Sequence, residues 1–220
     1  MTYYFDFSVI LRNIDGLLTG LGLALLLAVC SLTIGVAIGL VAAFGAISKH
    51  RWLNVVVIGY TAAFRNTPLL VLIYISYFGL PLIGITFGRE AAFIVTLSLY
   101  AGAYMMEVFR AGLSAIPNGL IEAGQAIGLR RNQIRWTIQM PIMTRNVLPS
   151  ISNYLISLFK DTSLASAIAI PEITYMANKI TTETFRVFEA WITVGLIYLA
   201  TCYLLAYVLR RVERRLTIAS

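Results

Sequence analysis

The sequence predicts an all-α integral membrane protein with five membrane-spanning helices, on three observations. Its residues are 59% hydrophobic and only 12% charged over 220 positions, with a mean hydropathy of +0.82, whereas a soluble domain carries roughly 45 to 50% apolar and 25% charged residues. The stretch 17–47 holds no Asp, Glu, Lys or Arg and exceeds the roughly 20 residues that cross a hydrocarbon core of about 30 Å. Four further apolar segments follow at 54–80, 91–113, 134–159 and 190–209.

The first span is expected to be retained. The chain opens "MTYYFDFSVILRNID", with Asp6 and Asp15 against Arg12, where a cleaved secretory leader has a basic start and a shorter apolar core. Gly35 and Gly39, four apart in this span, offer a small-xxx-small surface on which another helix can approach closely, within the subunit or between subunits. Arg135 and Arg145 make the fourth span enter the membrane late. An odd number of spans puts the termini on opposite sides. Lys49, Arg51, Arg110, Arg130, Arg131, Arg135, Arg145, Arg210, Arg211, Arg214 and Arg215 gather on one side. Only Arg12, Arg89, Lys179 and Arg186 gather on the other, while Arg65 and Lys160 lie within or at the far end of spans. Basic residues stay cytoplasmic, which places the N-terminus outside and the C-terminus inside. The net charge of +7 is therefore an orientation and lipid-headgroup signal, with no nucleic-acid meaning. Cys30 and Cys202 fall in spans and read as small apolar residues; His50 reads as a solvated loop histidine.

The sequence has no phosphate-binding Gly-Lys-Ser/Thr loop, no dinucleotide fingerprint, no His-Glu-x-x-His and no Cys-x-x-Cys. No cofactor or metal site is expected, nor a catalytic set. With no repeat or linker, residues 1–220 read as one domain.

Three polar interruptions of the apolar pattern are the candidate sites, because ionisable groups in a membrane are costly. In "FRNTPLL", Arg65, Asn66 and Thr67 precede Pro68, which removes a backbone donor and disfavours helix at Thr67. The second span should break here. Either Arg65 snorkels or ties down a neighbour, or the freed backbone lines a path. On the third span Tyr100, Tyr104 and Glu107 recur at i, i+4, i+7 and share one helix face. Glu107 either pairs with Arg110 or faces a polar cavity. In "KDTSLASAIAIPEI", Lys160, Asp161, Thr162 and Ser163 precede an apolar run too short to cross, so 161–173 reads as a re-entrant piece. A helix starting near Thr162 would aim free N–H groups at a carboxylate ligand; alternatively Asp161 caps that helix.

A fourth polar stretch, "IEAGQAIGLRR", follows the turn "IPNG" on the basic side. Its small residues, Ala123, Gly124, Ala126 and Gly128, with Glu122, suit a short helix that docks into a groove on another protein or lies in the headgroups.

"EAGQAIGLRRNQIRWTIQMP" resembles the EAA loop of the permeases of binding-protein-dependent ABC importers, with Glu122, Ala123, Gly128, Ile138 and Pro141 matching and Gly124 standing where the pattern has alanine. "FRNTPLLVLIYISYFGLP", "AYMMEVFRAGLSAIPNG" and "LPSISNYLISLFKDTSLASAI" are similar to the polar amino acid uptake branch of that superfamily, apart from Asn66 in place of Gly and Leu120 in place of Gln. The resemblance implies a type I importer permease of five spans, with a cytoplasmic coupling loop at about 117–131. It places the chain in the bacterial inner membrane, where it carries a polar or charged amino acid by alternating access. It implies as partners two ATP-hydrolysing subunits that bind the ATP and Mg, a second permease subunit, and a periplasmic or lipid-anchored binding protein. By the resemblance, Glu122, Ala123, Gly124, Gly128 and Arg130 contact the ATPase. Arg65, Asn66, Thr67, Tyr100, Tyr104, Glu107, Asp161, Thr162 and Ser163 are the expected substrate path. A permease for another solute, a secondary transporter and a membrane enzyme are the competing readings. The orientation is tested by labelling single introduced cysteines with an impermeant reagent: a cysteine in the 79–90 loop reacts in intact cells, and one at position 122 reacts only after lysis. Reaction at 122 in sealed cells reverses the topology.

Overall fold

A computed structural model describes residues 3–46 and 50–218, with the side chains of 216–218 left aside. Ile47, which ends the first predicted span, and Lys49, one of the basic-side residues, lie outside the described residues. The described chain is helical, in ten α-helices joined by 3-10 and π turns: α1 (Ser8–Arg12), α2 (Ile14–Ala46), α3 (Arg51–Asn66), α4 (Leu69–Tyr74), α5 (Arg89–Ser114), α6 (Asn118–Ala126), α7 (Arg131–Ile134), α8 (Met140–Asp161), α9 (Ile173–Thr184) and α10 (Val187–Ile218).

By length and apolarity, α2, α5 and α10 can each cross a membrane. The segment 54–80 breaks where Pro68 forecasts. Thr67 is extended, and the helices on either side, Arg51–Asn66 and Leu69–Ile83, diverge by 107°; counted as one bent span, they make a fourth crossing. The predicted span 134–159 is helical throughout. It runs through α7, a π turn (Arg135–Gln139) and α8, where the wider turn accommodates Pro141, which has no N–H to give. With Arg145, Lys160 and Asp161 along it, α8 is not among the helices apolar enough to cross by that measure.

The packing centre is the contact of α2 with α5. A Cβ built on Gly35 would come within 2.6 Å of Ala101 Cβ, and one on Gly39 within 2.4 Å of Met105 Cβ. Both are far inside van der Waals contact, so the two backbones meet only because α2 presents hydrogen there. The glycine pair thus works within the chain, and its close approach to α5 leaves it no role between subunits. Around this seam Leu27, Phe93, Leu97, Met105, Met143 and Leu158 form the main core. A second core packs α9 and the start of α10 on the N-terminal half of α2, through Leu17, Ala24, Ile173 and Ala190.

One sequence expectation is overturned. No helix begins at Thr162, because α8 passes straight into a 3-10 turn, Thr162–Ile168, and Thr162 Oγ1 donates to Phe159 O at 2.6 Å. The hydroxyl and backbone of Thr162 bond back along α8, so no free N–H groups point at a ligand from this position. The segment 161–173 turns over at Ala169, in left-handed backbone at φ 57°. The next helix terminus is at Ile173, and it is filled. The buried carboxylate of Glu172 accepts from the N–H groups of Thr174 and Tyr175, both at 2.8 Å, and from the Tyr198 hydroxyl at 3.3 Å.

At the N-terminus, residues before α1 close onto the start of α10. Glu189, wholly buried, accepts from the Tyr3 hydroxyl, from Asp6 N–H at 2.9 Å and from the Arg186 guanidinium at 3.4 Å. The hydrogen bond to Glu189 raises the pKa of the Tyr3 hydroxyl above its ordinary value.

Gly39→Leu should destabilise the fold strongly. Forcing bulk into a packed seam costs about 1 to 3 kcal/mol or more. Gly22, on the same helix but with nothing within 4 Å of a built Cβ, is the control. Melting of the detergent-solubilised protein should fall for Gly39→Leu and hold for Gly22→Leu; equal melting of the two would mean that the seam is looser than described.

Candidate functional site

The polar face forecast on the third span exists on α5 and gains partners from two other helices. The Tyr100 and Tyr104 rings lie 5.0 Å apart, and the Tyr100 hydroxyl donates to that of Tyr104 at 3.3 Å. Below them, Glu107 takes two cations at once. Arg110 grips Oε2 from Nη2 at 2.6 Å and from Nε at 2.9 Å, while Arg65 Nη1 approaches Oε1 at 3.6 Å. The same Arg65 guanidinium stands 5.3 Å from the centre of the Tyr104 ring, a cation–π contact. The helix break explains its reach: α3 ends at Asn66, so Arg65 sits in a last turn free to lean onto α5. Both alternatives for Glu107 are therefore realised, since it pairs with Arg110 and faces a cavity.

That cavity, about 350 Å³, is lined by Ile58, Thr61, Ala62, Arg65, Asn66, Tyr104, Met106 and Glu107. A second cavity of about 500 Å³ begins on the other side of Glu107, between α5 and α8, and is walled by Ala111, Gly112, Ala115, Asn146, Val147 and Ser150. Glu107 stands at the boundary of the two.

Toward mid-helix the face continues onto α8. The Tyr154 ring stacks on Tyr104 at 5.4 Å and 27°. Asp161, seven residues along α8 from Tyr154, is half-buried and lies within electrostatic reach of the Tyr100 and Tyr154 hydroxyls. Among the described residues no hydrogen bond reaches its carboxylate. Tyr60 completes the group, its hydroxyl donating to Leu99 O. Asn66 and Arg65 thus share the cavity with Tyr104 and Glu107, whereas Thr162 is wholly buried with its hydroxyl committed, and Thr67 only forms the break. Ser163 is half-buried beside Asp161, and its carbonyl accepts from Ser166. The sequence reading missed Tyr154 and Tyr60. Tyr154 sits two turns before Asp161 on the same helix, a spacing that could have flagged it; Tyr60 carries no such signal.

On the basic side, α6 holds the stretch 118–126. It ends in a Schellman motif: Leu129 N–H donates to Gly124 O and Gly128 N–H to Gln125 O, both at 3.0 Å, with Gly128 at φ 84°. Gly128 is therefore small for its left-handed backbone, with open space around it. Gly124 is small because Ile138 Cδ1 would lie 2.9 Å from a Cβ there. Both departures from bulk are explained inside this chain, so the groove-fitting expectation narrows to Ala123 and Ala126. Those two are exposed together with Glu122, Gln125, Arg130 and Ile127, the last at 77% exposure. Gln133 accepts from Arg130 N–H at 2.8 Å and starts the next helix.

Among the described residues no group of three or more His, Cys, Asp or Glu side chains could hold a metal ion.

Residues 35–218 match the family described as binding-protein-dependent transport system inner membrane component. The chain is 34% identical to the arginine transport system permease protein ArtQ of Bacillus subtilis (strain 168) over 212 residues, covering 96% of this chain and 97% of that one. It is 38% identical over 211 residues to the octopine transport system permease protein OccM of Rhizobium radiobacter, covering 92% and 86%. In structure it is similar to a crystal structure of an amino acid ABC transporter with histidines, with a TM-score of 0.91, 29% identity, and 97% and 100% of the two chains covered. A match over most of the chain, with relatives above 30% identity along nearly their whole length, leaves no other assignment: the chain belongs to the inner membrane components of binding-protein-dependent transport systems, the permeases of ABC importers.

Proposed function

We propose that this chain is the translocating subunit of an ATP-driven importer for a polar or charged amino acid, acting by alternating access. The observation that carries the reading is the polar face running from Asp161 through Tyr154, Tyr100 and Tyr104 to the partly exposed Arg65–Glu107–Arg110 cluster, along one side of an apolar helical bundle. Such a face is expensive in a membrane unless it meets a polar cargo. An amino acid brings an ammonium and a carboxylate, and the path offers at Asp161 a carboxylate that no hydrogen bond reaches among the described residues, with tyrosine hydroxyls further along. Ser163 lines the approach to Asp161, and Thr67 frees the backbone at the α3–α4 break.

Residues 1–220 act as one permease domain of five spans, α3 with α4 forming the second and α8 the fourth. The domain sits in the cytoplasmic membrane with its N-terminus outside and C-terminus inside. The chain carries no catalytic site and no cofactor of its own; ATP and Mg act on two partner ATPases. A second permease subunit, like or closely related, and an external binding protein complete the assembly. The exposed face of α6, with Glu122, Ala123, Ala126, Ile127 and Arg130, is the contact through which the ATPases move the bundle. Gly124 and Gly128 hold its shape. Packed helices then shift between inward-open and outward-open arrangements.

Two variants in reconstituted vesicles test the two halves of this reading. Asp161→Asn, which removes charge but little volume, should abolish uptake while the complex still assembles and its ATPase still responds to loaded binding protein. Ile127→Asp, at a position exposed in this chain, should leave the bundle folded but lose that response along with uptake. Wild-type uptake by Asp161→Asn would remove the carboxylate from the path. Normal stimulation in Ile127→Asp would make α6 a headgroup helix.

A further inference from the structure

Four buried hydroxyls find no hydrogen-bond partner among the described residues: Ser31, Ser98, Tyr154 and Thr181. The serines and the threonine lie on helices, where a small rotation brings the hydroxyl to a carbonyl one turn back. Tyr154 has no such refuge, because a phenol hydroxyl stands far from its own backbone. Its ring is fixed by stacking on Tyr104, so the hydroxyl cannot swing away. A buried polar group left unpaired in a native fold calls for an explanation.

Its surroundings supply one, on the reading of this chain as an amino acid permease. An α-amino acid arriving at Asp161 finds a carboxylate for its ammonium and then needs a donor for its own carboxylate. Of the cations, Arg65 and Arg110 both hold Glu107, and Lys160, next to Asp161 in the chain, offsets that carboxylate's own charge. The nearest free helix terminus, at Ile173, is filled by Glu172. Tyr100 gives its proton to Tyr104, and Tyr60 gives its proton to Leu99 O. Tyr104 accepts from Tyr100 and keeps its own proton, but among these tyrosines Tyr154 alone has a buried hydroxyl with no partner at all. Seven residues, about 10 Å of helix rise, put Tyr154 two turns before Asp161 on the same face of α8, and its hydroxyl lies within electrostatic reach of that carboxylate.

We propose that Tyr154 is a specificity-determining residue of the path, its hydroxyl donating a hydrogen bond to a carboxylate oxygen of the amino acid while Asp161 holds the ammonium. The Tyr154 oxygen is enclosed in the present arrangement, so the cargo reaches it as α5 and α8 part during the transport cycle. The hydroxyl then serves recognition and adds nothing to the resting fold.

Equilibrium binding of each of the twenty labelled L-amino acids to the purified permease–ATPase complex, without its binding protein, reads this site directly. Tyr154→Phe removes only the oxygen. For whichever amino acids the wild type binds, affinity should fall about ten- to hundredfold, the range for a hydrogen bond to a charged group. The ligand-free variant should melt no lower than wild type. Equal affinity in Tyr154→Phe, with wild-type binding intact, overturns the proposal alone. A lower melting temperature without ligand also overturns it, by showing the hydroxyl bonded in the resting protein. Binding of none of the twenty by the wild type overturns the amino acid reading and the proposal with it.

Discussion

The close approach of α2 and α5 is the constraint on which the other features depend. Two glycines one turn apart, Gly35 and Gly39, let the α5 backbone lie against α2 at Ala101 and Met105. In a membrane, apolar burial does not draw helices together, since lipid is as apolar as leucine; small-residue contact does. Seated there, α5 buries its Ala101, Met105 and Phe109 face in the core, while Tyr100 and Tyr104 pack against its edge and Glu107 lies partly exposed beyond them. The polar face of α5 thus flanks the packing seam.

Breaks in the other helices bring partners to that face. Pro68 ends α3 so that Arg65 reaches α5 from its last turn. The π turn around Pro141 sets the course of α8, which delivers Tyr154 and Asp161. Arg65 on Glu107 joins α3 to α5 across a cavity, and Arg110 neutralises what would otherwise be a half-paired carboxylate. Because Glu107 borders two cavities, a shift of α3 away from α5 would open one into the other. On the basic side, α6 hangs from the end of α5 and packs on Ile134 and Ile138 through Gly124, so force applied to its exposed face passes to both α5 and α8.

Local patterns carried much of this into the sequence. Apolar run length marked the helices, Pro68 marked the break, and the i, i+4, i+7 spacing of Tyr100, Tyr104 and Glu107 marked the face, because each depends only on neighbours along one helix. What depended on tertiary contact stayed hidden. The free helix start assigned to Thr162 failed because the threonine bonds back to Phe159, and the next helix starts only at Ile173, two residues past Pro171, under a Glu172 cap. Gly124 and Gly128 looked like one small-residue surface, yet one is packed by Ile138 and the other held in left-handed backbone. Tyr60 and the buried Glu189 that ties the N-terminus to α10 have no one-dimensional signature, since their partners lie on distant segments.

The central claim is that Arg65 and Glu107 act as one unit across the break, on the path. A double-mutant cycle in uptake, with Arg65→Gln, Glu107→Gln and the pair together, measures it most directly. If the two act as a unit, the double variant transports no worse than the poorer single one. Losses that multiply would show independent roles, and would contradict the account.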